Sequence, residues 1–229
     1  MIVIGVFVAL IAIAAVVISV AGSDEESSRP GGALGTDAEE VERTFADVSQ
    51  SGTFLGDPNA PTVVTEFVDL QCPFCGEFAT NAIPQVVETH VRSGEVALEL
   101  RVISFLGEDS RNAAEVAAAA AEQNRLWQFA ELFFLNQGPE NSGYVTEDFL
   151  TEIAGATPGL DGPEALEQRS SPAARALMEE NEALASRLGV DSTPSFFVSV
   201  EGSQPQPLEL DDLTADAFAA ALVSAPRGE

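Results

Sequence analysis

Hydrophobic and polar residues alternate along two stretches, 62–70 and 96–103, and both are rich in β-branched residues. This alternation predicts two strands. Between them, apolar residues recur at helical spacing over 73–91, where Pro73 suits the first helical position and Pro84 predicts a kink. Because a strand, a helix and a strand joined in this way make a right-handed crossover, we expect the two strands to be parallel.

The remaining pattern is helical and then mixed. Residues 110–188 carry apolar residues at helical spacings, which predicts a block of several helices. A strand is predicted at 195–200, a short edge strand at 207–210 and a closing helix at 214–223. The order β, α, β, helical insert, β, β, α predicts an α/β fold with an inserted helical domain.

The N-terminal segment 1–22 is predicted to enter a membrane. Residues 2–21 are apolar apart from Gly5 and Ser19, and twenty residues at about 1.5 Å each cover roughly 30 Å, the thickness of a bilayer core. The segment is either a single-pass anchor or a signal peptide cut after Ala21. We favour the anchor, because an apolar signal region usually has only about 7–15 residues. Both interpretations place the rest of the chain outside the cytoplasm, at the cell membrane or, after cleavage, secreted or periplasmic.

Residues 23–52 are rich in Ser, Gly, Pro, Asp and Glu. This composition predicts a flexible acidic linker, within which a short helix around 38–48 is possible. Residues 53–225 then form one domain, since about 170 residues is a comfortable size for a single core.

The charge and the reactive residues narrow the function. The chain of 229 residues has 37 acidic side chains and ten basic ones, all arginine, for a net charge of −27. This balance argues against a nucleic-acid partner, because phosphate contacts need basic side chains. Only two cysteines and one histidine, His90, are present, too few for a zinc site within one chain. We therefore expect no metal.

The sequence Cys72-Pro73-Phe74-Cys75 stands where the first strand turns into the helix. Unpaired N–H groups and the positive end of the helix dipole stabilise a thiolate at that position, which lowers its pKa. Cys72 is then the nucleophile of thiol-disulfide exchange and Cys75 the resolving thiol. A static disulfide and a zinc site shared between two chains are the alternatives.

Two further positions are candidates. Glu66 lies in the middle of the first predicted strand. If it is buried there, its pKa rises and it suits proton transfer with the resolving cysteine, whereas on the other face of the strand it is merely solvated. Asp69 either hydrogen-bonds the turn before Cys72 or is solvated at the strand end. Thr193-Pro194 comes just before the strand predicted at 195–200, and taken alone it predicts only a proline at the edge of a strand.

Together these pieces resemble the DsbA-like thioredoxin-fold thiol-disulfide oxidoreductases. The matching segments are 56–61, 66–69, Cys72–Cys75, 189–190 and 193–196, and the resemblance covers about 53–225. It implies a thioredoxin fold with a helical insert, an exposed nucleophile Cys72, a buried partner Cys75 and a buried acid Glu66 below the pair.

The resemblance also implies a substrate-binding surface. Thr193-Pro194 would be a cis peptide facing the disulfide, where the backbone of Thr193 pairs with an extended substrate, and Pro73 and Phe74 would contact the same polypeptide. The redox-active disulfide itself would be the only redox group, so we expect no bound cofactor.

The family resemblance favours an enzyme that oxidises cysteine pairs in exported proteins and is reoxidised by a membrane thiol oxidase. One position departs from the pattern: strongly oxidising members have a histidine where this chain has Phe74, and a phenyl ring donates no hydrogen bond to sulfur. This leaves a reductase, supplied by a membrane electron donor, as an alternative. A non-catalytic anchored module that binds exported polypeptides is a third.

Overall fold

The computed structural model describes residues 34–225, and the predicted membrane segment 1–22 lies outside them. Within the described range, no helix is both long and apolar enough to span a bilayer. The strands are β1 (Gln50–Ser51), β2 (Phe54–Leu55), β3 (Thr62–Val68), β4 (Val96–Val102), β5 (Ser195–Val200) and β6 (Gln206–Pro207). The helices are α1 (Leu34–Phe45), α2 (Pro73–Asn81), α3 (Ile83–Val86), α4 (Glu108–Glu122), α5 (Leu126–Leu135), α6 (Glu147–Ala156), α7 (Gly162–Gln168), α8 (Pro172–Leu188) and α9 (Ala215–Ser224).

The strands form one mixed sheet in the order β1-β2-β4-β3-β5-β6. The predicted parallel pair is confirmed, because β3 and β4 run parallel with Glu66 opposite Leu100. On its other side β3 pairs antiparallel with β5, where Glu66 lies opposite Phe196. β3 is therefore a central strand, buried over Val64–Val68.

The two faces of β3 pack against different helices. Phe67, together with Phe197 of β5, packs in a small cluster with residues of α8. Because side chains alternate along a strand, Glu66 points to the opposite face. Phe196 lies on that face and contacts Phe78 of α2, with 4.8 Å between ring centroids. Glu66 therefore faces the helix that carries Cys75.

The helix predicted over 73–91 is divided into three pieces. α2 ends at Asn81, α3 covers Ile83–Val86, and a π-helical turn follows at Val87–Val91. Pro84 lies in the first turn of α3, where its missing N–H interrupts the hydrogen bonding of a continuous helix. The kink predicted at Pro84 is confirmed, because the helix breaks beside this proline, between Asn81 and Ile83.

The flexible linker predicted over 23–52 is wrong for its described part, where the short helix allowed for around 38–48 is present as α1. Residues Leu34–Phe45 form α1, in which Val41 and Phe45 are spaced four apart and are 0% and 3% exposed. A helix whose apolar residues recur at this spacing has one face to bury, and Phe45 packs near Trp127 of α5. The short hairpin β1–β2 then pairs with β4. The folded unit therefore begins by Leu34 and not at residue 53.

The helical insert matches the prediction, since α4 to α8 occupy residues 108–188. Trp127, at the start of α5, donates its indole N–H to the carbonyl of Thr53 at 3.0 Å. This bond ties the insert to the N-terminal hairpin. The predicted edge strand 207–210 is shorter and earlier than expected: β6 pairs only at Gln206 and Pro207.

Candidate active site

Cys72 caps the N-terminus of α2. Its backbone is extended (φ −70°, ψ 119°), and Pro73 follows in the first turn of the helix. The residue before a proline favours this extended conformation, which explains why the helix begins here. The Cys72 amide donates to the Asp69 carbonyl at 2.9 Å, which closes the turn after β3.

The surroundings of Cys72 stabilise its thiolate. Its pKa falls from 9.0 to about 6, chiefly because the Cys75 thiol donates a hydrogen bond to the sulfur. Burial opposes this shift, while the Thr193 side chain and the backbone N–H groups of Cys75 and Phe74 add to it. At neutral pH the sulfur is therefore mostly ionised, the form that attacks a disulfide.

Cys72 is not exposed, and that part of the expectation is wrong. Its relative exposure is only 5%, because the loop before β5 lies over it: the protonated thiol donates to the Thr193 carbonyl at 3.2 Å. The Thr193–Pro194 peptide bond is cis. Pro73 and Phe74 are exposed beside the sulfur, Phe74 to 59%. Phe74, Thr193 and Pro194 thus surround the nucleophile where a substrate must approach.

Cys75 lies one turn further into α2 and is fully buried. Burial is the main reason that its pKa lies well above 9.0, and the hydrogen bond and negative charge of Cys72 add to it. Both cysteines are free thiols in this structure. Because the Cys75 thiol keeps its proton, it needs a base before it can attack a mixed disulfide.

Glu66 supplies an acidic group close enough to Cys75 to affect its ionisation. Its side chain is 5% exposed, and burial raises its pKa from 4.5 to about 8. Its negative charge in turn raises the pKa of Cys75. Of the two sequence interpretations, the buried one is confirmed, and a carboxyl with this pKa can both donate and accept a proton near neutral pH.

Asp69 hydrogen-bonds the turn and is not solvated. One of its carboxylate oxygens, Oδ1, accepts from the Gln71 amide at 2.8 Å and the Ser110 hydroxyl at 2.7 Å. The other, Oδ2, accepts from the amides of Phe105 and Leu106 at 2.7 and 2.8 Å. This one carboxylate therefore joins the active-site turn to the loop after β4 and to the start of α4.

Sequence reasoning missed two residues on the helical insert. Gln137 follows α5, and its Nε2 donates to the carbonyls of Leu70 and Cys72 at 2.8 and 3.1 Å. Glu131 lies inside α5 and is 5% exposed. Burial, and then the charge of Glu66, raise its pKa well above 4.5. A single acid within the apolar run 126–135 was the signal that could have identified Glu131.

No metal site is found in residues 34–225, because no group of three or more histidine, cysteine or acidic side chains is close enough to hold an ion. His90 lies in the π-helical turn with its ring 6.1 Å from that of Phe218. Packing therefore accounts for the only histidine of the chain.

Comparisons with known proteins agree with this geometry. A sequence profile described as Thioredoxin matches residues 49–215. The chain is 27% identical over 154 residues to the probable disulfide bond formation protein D of Bacillus cereus, covering 66% of this chain and 71% of that protein.

Solved structures agree as well. Oxidised BdbD from Bacillus subtilis superimposes with a TM-score of 0.64 at 21% identity, covering 78% of this chain and 97% of its own. DsbA from Chlamydia trachomatis gives a TM-score of 0.62 at 19% identity, covering 77% and 92%. The predicted thioredoxin fold with a helical insert is thus confirmed.

Proposed function

The chain belongs to the thioredoxin family and is a DsbA-like thiol-disulfide oxidoreductase, and from this premise we propose that it oxidises cysteine pairs in exported proteins. The observation that carries the proposal is the Cys72 sulfur at the start of α2, whose pKa is lowered from 9.0 to about 6. A stable Cys72 thiolate stabilises the reduced protein, and a stable reduced form makes the disulfide an oxidant.

The magnitude of the pKa shift bears on the direction of electron flow. The nucleophilic cysteine has a pKa of about 7 in thioredoxin, a reductant, and about 3.5 in DsbA, a strong oxidant. A pKa of about 6 for Cys72 lies between them. Since Phe74 has no side-chain donor for the sulfur, we expect an oxidant weaker than DsbA, with a potential between about −270 and −120 mV.

Oxidation would proceed in two exchanges. A substrate thiolate attacks the Cys72 sulfur of the oxidised protein, the Cys72–Cys75 bond breaks, and Cys75 leaves with its electron pair and takes a proton from Glu66. A second substrate thiolate attacks the substrate sulfur of the mixed disulfide, and Cys72 leaves as a thiolate. Two electrons have then passed from the substrate dithiol to the Cys72–Cys75 pair, which carries them without any other redox group.

The substrate would dock beside the cis peptide. Thr193 and Pro194 are partly exposed next to Cys72, and Pro73 and Phe74 are exposed on its other side. An extended polypeptide can pair with the Thr193 backbone while its apolar side chains cover Phe74. Because these contacts involve backbone and a single ring, they suit many substrate sequences.

The cycle needs a second partner to reoxidise the pair. We assign this step to a membrane thiol oxidase whose own disulfide accepts the two electrons. The apolar segment 2–21 would hold the enzyme at the membrane with the catalytic domain outside the cytoplasm. The oxidase, which lies in the membrane, would then reach Cys72 without leaving the bilayer.

The proposal is tested with the full chain by equilibrating the Cys72–Cys75 pair against glutathione and by trapping mixed disulfides on Cys75→Ala. A potential near −120 to −180 mV, the range of oxidants and isomerases, with many exported proteins trapped, supports the oxidase. A value near −270 mV with few trapped partners supports a reductase, the candidate that Phe74 favours. A pair that does not exchange at all contradicts both enzymes and leaves a polypeptide-binding module.

A further inference from the structure

Glu131 is a buried acid for which the thiol exchange described so far has no use. It is the only charged residue of α5, whose other side chains are apolar apart from Gln128. α5 lies against the helix that carries Cys75: a Cβ at Gly76 would be 3.5 Å from a ring carbon of Phe134. Glu131 precedes Phe134 by three residues and therefore lies on the same side of α5.

α1 lies antiparallel along α5, since Phe45 contacts Trp127 at one end and Asp37 accepts from Asn136 at the other, so Glu131 lies opposite the turn of α1 that holds Glu40. Glu66 interacts electrostatically with Cys75, and Glu131 interacts with Glu66 from β3 and with Glu40 from α1. Glu40 is exposed. Asp37, one turn before Glu40, is buried, and its carboxylate accepts a hydrogen bond from Asn136 at 3.2 Å.

In the described part of the chain, no positively charged side chain neutralises the buried acids Glu66 and Glu131. No arginine contributes to the shifted pKa of Glu66 or Glu131. Two buried carboxyls without a cation strongly disfavour a doubly ionised state. Near neutral pH both therefore hold a proton most of the time, and when Glu66 is charged Glu131 remains protonated, which is the arrangement that a proton transfer between them requires.

The order of ionisation gives each acid a role. The pKa of Glu66 is about 8, and the charge of Glu66 raises the pKa of Glu131 further. When Glu66 loses its proton, Glu131 still carries one. Glu131 can thus return a proton to the Glu66 carboxylate, which exchanges protons with Cys75.

We propose that Glu131 passes protons between Glu66 and solvent, so that the Cys75 proton enters and leaves the buried site through Glu66, Glu131 and the exposed Glu40. This inference rests on the proposed thiol exchange and deepens it. When Cys75 leaves as a thiolate, Glu66 gives it a proton and regains one from Glu131, which is reprotonated from the Glu40 side. When Cys75 must attack, the same protons move outward and no electrons are transferred between the acids.

The test separates the chemistry of the two cysteines. The reduced full chain is mixed with excess dithiobis(nitrobenzoate), and release of thionitrobenzoate is followed across pH. Attack of Cys72 on the reagent releases one equivalent, and attack of buried Cys75 on the resulting mixed disulfide releases another. Only the second phase requires the Cys75 proton to leave.

Glu131→Gln keeps the size and hydrogen bonding of the side chain but removes its acidic proton. We expect about a tenfold slower second phase at neutral pH and an unchanged first phase. Glu66→Gln should slow the same phase, and the double variant should be no slower than Glu66→Gln, because both acids serve one path. The matched control is Gln128→Leu, a buried polar residue one turn earlier on α5, which should leave both phases within about twofold of wild type.

The outcomes are distinct. A normal second phase in Glu131→Gln, or effects of the two variants that multiply, overturns the relay while the thiol exchange stands. Absence of the first phase in the wild-type protein would instead refute the proposed function. If Glu131→Gln does not fold, Glu131→Asp should show a smaller slowing of the second phase that again disappears in the Glu66→Gln background, and its persistence there would also overturn the relay.

Discussion

Removal of Cys75 should raise the pKa of Cys72. The hydrogen bond from the Cys75 thiol is the largest cause that lowers the Cys72 pKa to about 6. Cys75→Ala deletes that donor, whereas Cys75→Ser keeps a hydroxyl that can donate in its place. The pKa of Cys72 should therefore rise most in the alanine variant and less in the serine variant.

The structure sets the size of the effect on reactivity. Relative to an unperturbed thiol with a pKa of 9.0, a pKa of about 6 raises the thiolate fraction at pH 7 from about 1% to about 90%, roughly 90-fold. The more stable thiolate is a weaker nucleophile, and over three pH units that costs a factor of about 16–32. The net advantage is only about three- to sixfold at pH 7, and about thirty- to sixtyfold at pH 5.

The assay is alkylation of Cys72 by iodoacetamide from about pH 4 to about pH 10, with mass spectrometry to confirm that buried Cys75 is unmodified. Ultraviolet absorbance of the thiolate gives the midpoint independently of nucleophilicity. The wild-type protein should titrate near pH 6. The Cys75→Ala midpoint should lie above it, with Cys75→Ser between the two.

Two results would refute the reasoning. A wild-type midpoint near pH 8 or above would mean that the start of α2 and the Cys75 donor do not stabilise the Cys72 thiolate. An unchanged midpoint in Cys75→Ala would mean that the helix N–H groups and Thr193 suffice without the second thiol.

Three variants test other parts of the structure through urea unfolding. Burial raises the pKa of Glu66 from 4.5 to about 8, so its contribution to stability is full below pH 4.5 and is lost as the pH rises through 8. Glu66→Gln should accordingly add up to about 5 kcal/mol at pH 9 and almost nothing at pH 4, and an equal effect at both would contradict the buried acid. Phe45→Ala should lower the free energy of unfolding by about 3–5 kcal/mol, whereas the exposed Glu42→Ala should lower it by less than about 0.5 kcal/mol. Equal losses in the two variants would mean that α1 is not packed. Gln137→Leu should lower the free energy of unfolding by about 1–3 kcal/mol, because the Leu70 carbonyl loses its donor, while exposed Gln85→Leu should change it little.

The sequence predicted the parts of the fold that carry a long local pattern. β3 and β4 are seven residues each, long enough for alternation to be visible, and the proline at the start of α2 marks its first turn. The insert was recognisable because α4 and α8 repeat their apolar residues over several turns. Cys72 and Cys75 were identified because two thiols at this spacing after a strand have few other uses.

The missed features depend on contacts between distant segments. α1 buries only a few side chains, so its composition resembles a tether until Phe45 meets Trp127. β1 and β2 have two residues each, too few to show any period. The surroundings of Glu131 form only when α5 packs against α2, whose Cys75 lies 56 residues before Glu131 in the chain. Coverage of Cys72 by Thr193 likewise joins residues 121 apart.

The single tryptophan of the chain gives this architecture its own optical reporter. Trp127 is 3% exposed, its indole is tied to the hairpin through Thr53, and its ring faces Phe45 of α1. Three segments from different parts of the sequence therefore meet at one fluorophore. Its emission should follow the docking of the N-terminal helix and hairpin onto the insert, so that release of this corner can be watched in the unlabelled protein.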